Sequence, residues 1–281
     1  MKSTVRIYAR LVRGNGWRII LTYALLVTEL ALELSRPWLW GLAINALLMA
    51  NMNGLYLAAG QHVLSVTFGT IRRRFDTRTF ARIYARLAAD VVLDQHARSA
   101  DISYIAARAR LSRELVDFLE RDLHSLMQGT FYLFGAVTII HSMDAIVSLA
   151  CVSLMLPVTL LNMRYAKLTL HLNRGLNDRI EKEVASLVKA NAARVRRHFL
   201  ALTRWRVRLS DADANNFLAT EIFILALILF ALWRFTGAPA ADAGGIFASM
   251  SYIGMFLAAL DNIPRLIEQA SKIRDVVRRL S

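Results

Sequence analysis

The sequence has only one cysteine, Cys151, and four prolines among 281 residues. A lone cysteine cannot form a disulfide within the chain, and Cys151 lies in an apolar stretch, which is typical of a small buried hydrophobic residue. The six histidines include no pair at the i, i+4 spacing of a metal-binding helix face, so we expect no metal site. These absences exclude a disulfide-stabilised fold and give no indication of metal chemistry.

A nucleotide-binding loop of the form G-x-x-x-x-G-K-[ST] is also absent. Gly14 and Gly16 are the nearest glycine pair, but the lysine and hydroxyl residue that hold phosphates and magnesium do not follow them. We therefore expect that this chain is not an enzyme and holds no cofactor of its own.

Acidic residues are few relative to basic ones, 21 against 35, which leaves a net charge of +14. A chain this basic could bind nucleic acid, but 56% of its residues are hydrophobic, which is too apolar for a soluble nucleic-acid-binding domain. We interpret the arginine-rich stretch 194–208 as a lipid-facing segment, since each basic residue near an anionic leaflet contributes about 1 kcal/mol. The composition predicts an integral membrane protein. Its expected partner is the lipid bilayer, and no nucleic acid is expected to bind.

Six apolar stretches are long enough to be read as membrane spans. Tryptophans mark several of their edges, as expected for rings at the membrane interface, and Trp17 begins the first stretch. Gln61 and His62 lower the hydropathy of the second stretch, which favours a helix packed inside a bundle. The first helix is expected to run on towards Ala50. The predicted spans lie at about residues 17–34, 55–71, 126–141, 145–163, 217–233 and 244–263.

The basic residues are distributed unequally about these spans. Of the 35, 33 lie in the segments 1–18, 72–122, 164–210 and 265–281, and only Arg36 and Arg234 lie in the other connections. Basic residues beside a span are retained in the cytoplasm, so both termini are predicted to be cytoplasmic. Arginine outnumbers lysine 30 to 5, which favours a GC-rich bacterial genome and hence the inner (plasma) membrane.

The two long connections, about residues 72–125 and 164–216, are predicted to be helical. No glycine or proline occurs between Gly69 and Gly129 or between Gly175 and Gly237. A leucine stripe with helical spacing also runs towards the third span, at Leu111, Leu115, Leu119, Leu123 and Leu126. We therefore predict an all-α membrane protein in one domain, whose six long transmembrane helices extend into the cytoplasm as two helical hairpins.

Local sequence in the first connection and the tail is similar to that of a known family. The segments concerned are Arg-Arg-Arg-Phe at 72–75, residues 87–92, residues 105–111, Ser-Tyr-Ile-Gly-Met-Phe at 251–256 and Asp-Asn-Ile-Pro-Arg-Leu at 261–266. Together with the layout of the helices, they resemble the membrane domain of the ABC exporters. In that family the hairpin tips dock on ATPase domains, and the corresponding tips here would be about residues 95–104 and 189–201.

The resemblance carries further expectations about partners. An exporter half normally continues into a nucleotide-binding domain, and this sequence stops at Ser281, where that domain would begin. A stand-alone membrane subunit is therefore expected, acting as a homodimer with a separately encoded ABC ATPase that supplies ATP and magnesium. The apolar residues at the predicted tips are the candidates for coupling to that ATPase, namely Ile102, Tyr104, Val195 and Phe199.

Charged and amide groups near the spans are the candidates for a substrate cavity. Glu29 and Glu33 lie one helical turn apart in the first span, where a bare carboxylate costs about 2.5–3.5 kcal/mol on insertion scales. They either attract a cationic substrate or are structural, with Glu33 paired to Arg36 and Glu29 hydrogen-bonded or protonated. Three further candidates lie near span ends, where hydration by snorkelling is an equally open explanation, namely Glu221, Asp261 and Asn262.

Two other functions remain open at this point. The chain could be a non-transporting membrane scaffold or regulator that keeps the fold without a motor. It could also be an ion-coupled carrier that uses Glu29 and Glu33, although no inverted internal repeat is visible to favour that.

Overall fold

The computed structural model describes residues 2–181, 191–239 and 241–262. Within these ranges all regular secondary structure is helical, which confirms the predicted all-α fold. A π-helical turn at Phe118–Asp122 joins the third helix to the fourth without a break in the helical path. The helices are α1 (Lys2–Leu48), α2 (Asn53–Ala97), α3 (Ile102–Asp117), α4 (Leu123–Met143), α5 (Ala145–Glu181), α6 (Ala192–Thr236) and α7 (Ala243–Asp261).

Four helical segments of the described chain are long and apolar enough to cross a membrane: Ile102–Met143, Ala145–Glu181, Val195–Thr236 and Ala243–Asp261. They contain the third to fifth predicted spans and the sixth as far as Asp261. The first two predicted spans lie in α1 and α2, which carry charged or polar side chains within their apolar stretches. These two helices are therefore too polar to be recognised as spans by composition alone. The count of six spans stays a prediction.

The chain divides into two compact units, one containing α1 to α4 and α7, the other residues Asp144–Arg234 with α5 and most of α6. In the first unit, α1 contacts α2 and α7, and α4 also contacts α7. The largest fully buried side chains include Tyr252 and Phe256 of α7 and Leu26 of α1. The Tyr252 hydroxyl donates to the Leu34 carbonyl at 2.9 Å, which satisfies its buried polar group.

Close approach of α1 and α7 depends on two glycines. A Cβ on Gly41 or on Gly244 would collide with the backbone of the other, so only glycine lets these helices touch at this point. Just before α7, Asp242 accepts a hydrogen bond from the Gly245 amide at 2.6 Å and another from the Asn45 side chain at 2.6 Å. The Gly245 amide and the Asn45 amide together hold the pKa of Asp242 below its usual value.

The α2–α3 pair has its own apolar core. Phe80, Ile83, Leu87 and Val91 recur on one face of α2 and pack against Val116 of α3. The chain leaves α2 at Ala97 and enters α3 at Ile102, within the predicted tip at 95–104.

The second unit is held by polar contacts between α5, its preceding residue and α6. Asp144 accepts two hydrogen bonds from Arg234 on one oxygen, with Arg234 Nη2 at 2.6 Å and Nε at 3.0 Å. Its other oxygen accepts from the Ile146 and Val147 amides, which caps α5. Burial would raise the pKa of Asp144, but the hydrogen bonds from Arg234 and these amides outweigh it and lower the pKa.

Further along the second unit, Tyr165 donates to Asp213 at 2.9 Å, and Asn216 donates to Asn162 at 3.2 Å. Gly175 leaves room for the Trp205 indole, which a Cβ would meet at 2.5 Å. Because these contacts are spread along both helices, they fix the register of α5 against α6. Residues 182–190, which include the first two residues of the second predicted tip at 189–201, lie outside the described residues.

Candidate functional site

A buried ion-pair network connects α1 and α2 in the first unit. Arg72 donates from Nε to Glu29 Oε2 and from Nη1 to Asp76 Oδ2, the latter at 2.6 Å. Arg72 and Asp76 lie one turn apart on α2, the spacing at which helical side chains face each other. All three residues are less than 9% exposed. A guanidinium at the centre therefore compensates two carboxylates that burial would otherwise strongly destabilise.

The backbone of α2 is shaped to receive Glu29. A Cβ on Gly69 would lie 2.6 Å from Glu29 Oε1, so a larger residue at this position would displace the carboxylate from its present place beside Arg72. On the other side, His124 of α4 places Nδ1 3.3 Å from Arg72 Nη1. Tyr23 of α1 donates to the Leu119 carbonyl at 2.9 Å just before α4. Three helices of the first unit thus meet around one arginine.

A separate cavity of about 580 Å³ lies beside Glu33, one turn along α1. Its charged lining residues are Glu33 and Arg36, and its aromatic ones are Trp40, Tyr132 and Phe247. Tyr132 of α4 donates its hydroxyl to Glu33 Oε2. Glu33 Oε1 lies 3.7 Å from Arg36 Nη2, which is an ion-pair distance but too long for a hydrogen bond.

The two carboxylates predicted as a pair therefore have different surroundings. Glu29 is closed off in the ion-pair network, and Glu33 lines the cavity. Sequence analysis missed Arg72, Gly69 and Tyr132 as their partners. The available signal was that Arg72 is the first basic residue after the second predicted span, on the face of α2 that also carries Gly69.

The other predicted cavity residues are Glu221, Asp261 and Asn262. Glu221 is an exposed residue of α6 and belongs to the second unit. Asp261 and Asn262 lie at the end of α7 and are exposed, and Asn262 donates to the Ala258 carbonyl at 2.8 Å. Neither Asp261 nor Asn262 lines the cavity beside Glu33.

The predicted coupling residues are mostly exposed. In the first unit, Ile102 is 83% exposed, and Tyr104 is 46% exposed with the Arg108 guanidinium 5.3 Å from its ring centroid. In the second unit, Phe199 is 46% exposed, and Val195 is half-buried in the first turn of α6. Contiguous exposed apolar patches commonly mark an interaction site, whereas single exposed apolar side chains are ordinary on a protein surface.

Comparison with known protein families identifies the family to which this chain belongs. Residues 9–244 match the model of the ABC transporter transmembrane region. The chain belongs to this family. No curated protein matches the sequence. As an ABC transporter transmembrane region with apolar helices, the protein is an integral membrane component of an ABC-type transporter, which confirms the resemblance noted in the sequence.

Proposed function

We propose that this ABC transporter component is the membrane-spanning subunit of an exporter, energised by an ATPase outside these 281 residues that is encoded separately. The family match over residues 9–244 carries the proposal. The absence of a phosphate-binding loop from the sequence supports an external motor. The location that best fits the arginine-rich composition is the inner membrane of a bacterium.

The arrangement that we propose has six crossings, with both termini in the cytoplasm. In it, α2 with α3 and α5 with α6 extend beyond the membrane as two hairpins. The distribution of basic residues supports this orientation. The two basic residues left on the outer side, Arg36 and Arg234, each lie beside a carboxylate of their own unit, Glu33 and Asp144.

The working unit in this proposal is a homodimer of twelve helices. The cavity beside Glu33 is open in a single chain, with Trp40 44% exposed, and a second copy related by a twofold axis would enclose it. ATP-driven closure of two motor domains would reach the membrane through the tips at 95–104 and 189–201, and would switch the cavity between the two sides.

Purification from native membranes in a mild detergent tests this assembly. We expect particles whose mass corresponds to two copies of the chain with ATPase subunits attached, and vanadate-sensitive ATP hydrolysis that is lost when those subunits are stripped off. A homogeneous monomer with its native helix content would contradict the dimer. A stable dimer that never retains an ATPase would instead favour the scaffold or regulator.

The structure gives less support to an ion-coupled carrier built on Glu29 and Glu33. Such a carrier would need the two carboxylates in one site, and Glu29 is engaged by Arg72 while Glu33 is bonded to Tyr132. We therefore do not propose it.

A further inference from the structure

The charged groups of the cavity beside Glu33 are only partly satisfied by each other. The Glu33 and Arg36 side chains are 28% and 40% exposed, and the 3.7 Å between them leaves no hydrogen bond. Arg36 Nε is buried and has no hydrogen-bond partner in the described part of the chain. A ligand that entered between them could therefore form bonds with both groups without breaking one.

Tyr132 holds the carboxylate in place for such a ligand. Its hydroxyl donates to Glu33 Oε2, and Gln128 in turn donates to the Tyr132 hydroxyl at 3.4 Å. Glu33 Oε1 is left with the capacity to accept from a ligand. A carboxylate fixed by a neighbouring donor binds an ammonium group with less loss of side-chain entropy.

The rest of the lining is mostly apolar and aromatic, with the His62 ring and the Ser251 hydroxyl as further polar groups. Trp40, Phe247 and Met255 line the same cavity as the charged pair. Aromatic faces stabilise an adjacent cation by about 0.5–2 kcal/mol, and the volume of about 580 Å³ is in the range of small-molecule sites. Because one carboxylate and one guanidinium cancel in charge, the cavity has no net preference for a simple cation or a simple anion.

We propose that this cavity binds a zwitterionic amphiphile, with an ammonium group at Glu33, a neighbouring acidic group at Arg36 and an apolar or aromatic body against Trp40 and Phe247. This names a substrate class for the proposed transport function and rests on that function for its biological meaning. The same chemistry is available from a free α-amino acid and from a phospholipid headgroup that joins an ammonium to a phosphate.

The test measures binding to the full chain in nanodiscs of phosphatidylglycerol, without nucleotide or ATPase. Three probes with the same aromatic body are compared by equilibrium binding: phenylalanine, its cationic amide and its anionic N-acetyl derivative. Phenylalanine is expected to bind at least about tenfold more tightly than either derivative, because each derivative lacks one charge-assisted hydrogen bond.

Two variants show which side chain binds the ammonium of the probe and which binds its carboxylate. Glu33→Gln should weaken phenylalanine binding by about tenfold and leave the N-acetyl derivative unchanged, since that probe has no ammonium. Arg36→Gln should weaken phenylalanine equally and leave the amide unchanged. Glu114→Gln removes an exposed carboxylate of α3 in the same unit, outside the lining of the cavity, and is the matched control, with no expected effect. A structural role alone would weaken all three probes together.

Native mass spectrometry with phosphatidylethanolamine distinguishes the two sources. Retention of this lipid by the parent chain but not by Glu33→Gln, with competition against phenylalanine, would identify the headgroup as the occupant. Phenylalanine binding that the lipid does not affect would identify a free amino acid or a related compound. Equal binding of the three probes, tighter binding of the amide, or no binding of phenylalanine and of the lipid would each overturn the inference. Failure of the transport proposal would appear separately, as the absence of an ATPase in the purification.

Discussion

Replacing Arg72 with methionine is expected to lower the free energy of unfolding by about 3–5 kcal/mol, the cost of removing one partner from a buried ion pair. Methionine keeps the length and the apolar stem but not the guanidinium. The buried carboxylates of Glu29 and Asp76 would then repel each other without a compensating cation, at a point where α1 packs against α2. The measurement is a denaturant titration in mixed micelles, followed by the loss of helix content.

Arg74→Met is the control for this variant, because Arg74 is exposed on the same helix two residues along. Its effect should stay within about 0.5 kcal/mol. A triple variant, Arg72→Met with Glu29→Gln and Asp76→Asn, should recover part of the lost stability, since it removes the uncompensated charges. If Arg72→Met is as stable as the parent, the buried network does not hold α1 to α2.

Substituting Tyr104 and Phe199 together with aspartate is expected to abolish both the association with an ATPase and transport, while membrane insertion and dimer formation persist. Both rings are 46% exposed, and their contacts with Arg108 and His198 are each with a neighbour on the same helix, so their loss should not unfold the chain. A carboxylate in an apolar docking site costs several kcal/mol when it is desolvated without a partner. The measurement is ATPase co-purification together with the mass of the particle.

Val207→Asp provides a comparison for the tip substitutions, because Val207 is 50% exposed but lies further along α6, away from the predicted tip. It should leave ATPase association intact. Loss of the dimer in the double variant would show that Tyr104 and Phe199 are structural. Unchanged co-purification and transport would rule out both rings as the docking contact.

The long helices were predictable because local sequence determines them. The absence of glycine and proline between Gly69 and Gly129 predicted a helical segment, and the break between Ala97 and Ile102 lies in the stretch where polar residues replace the apolar pattern. The leucine stripe predicted an apolar face along the helical path from α3 to α4, and Leu119 of the π-helical turn does pack against the apolar core of the α2–α3 pair. The π-helical turn at Phe118–Asp122 has no comparable sequence signature and was not anticipated.

The partners of the membrane carboxylates were not predictable in the same way. Glu29 and Arg72 are 43 residues apart, and Glu33 and Tyr132 are 99 apart, so each contact depends on how whole helices align. Sequence periodicity predicts which face of a helix is apolar, but it does not predict how far that helix is shifted along its axis relative to a neighbouring helix. The local pair Glu33 and Arg36, at i, i+3, was the one contact that spacing alone indicated.

The most direct test of the account is the number of membrane crossings, because α1 and α2 are the helices that composition alone does not recognise as spans. Single cysteines at Met52, Ser99 and Ala241 in a Cys151→Ala background are treated with a membrane-impermeant maleimide. Ala241 is chosen beside Asp242 so that the cap of α7 is kept. Six crossings with cytoplasmic termini predict labelling of positions 52 and 241 in intact cells, and of position 99 only after lysis. Labelling of positions 52 and 99 under the same conditions would show that α2 does not cross the membrane, and would contradict the account.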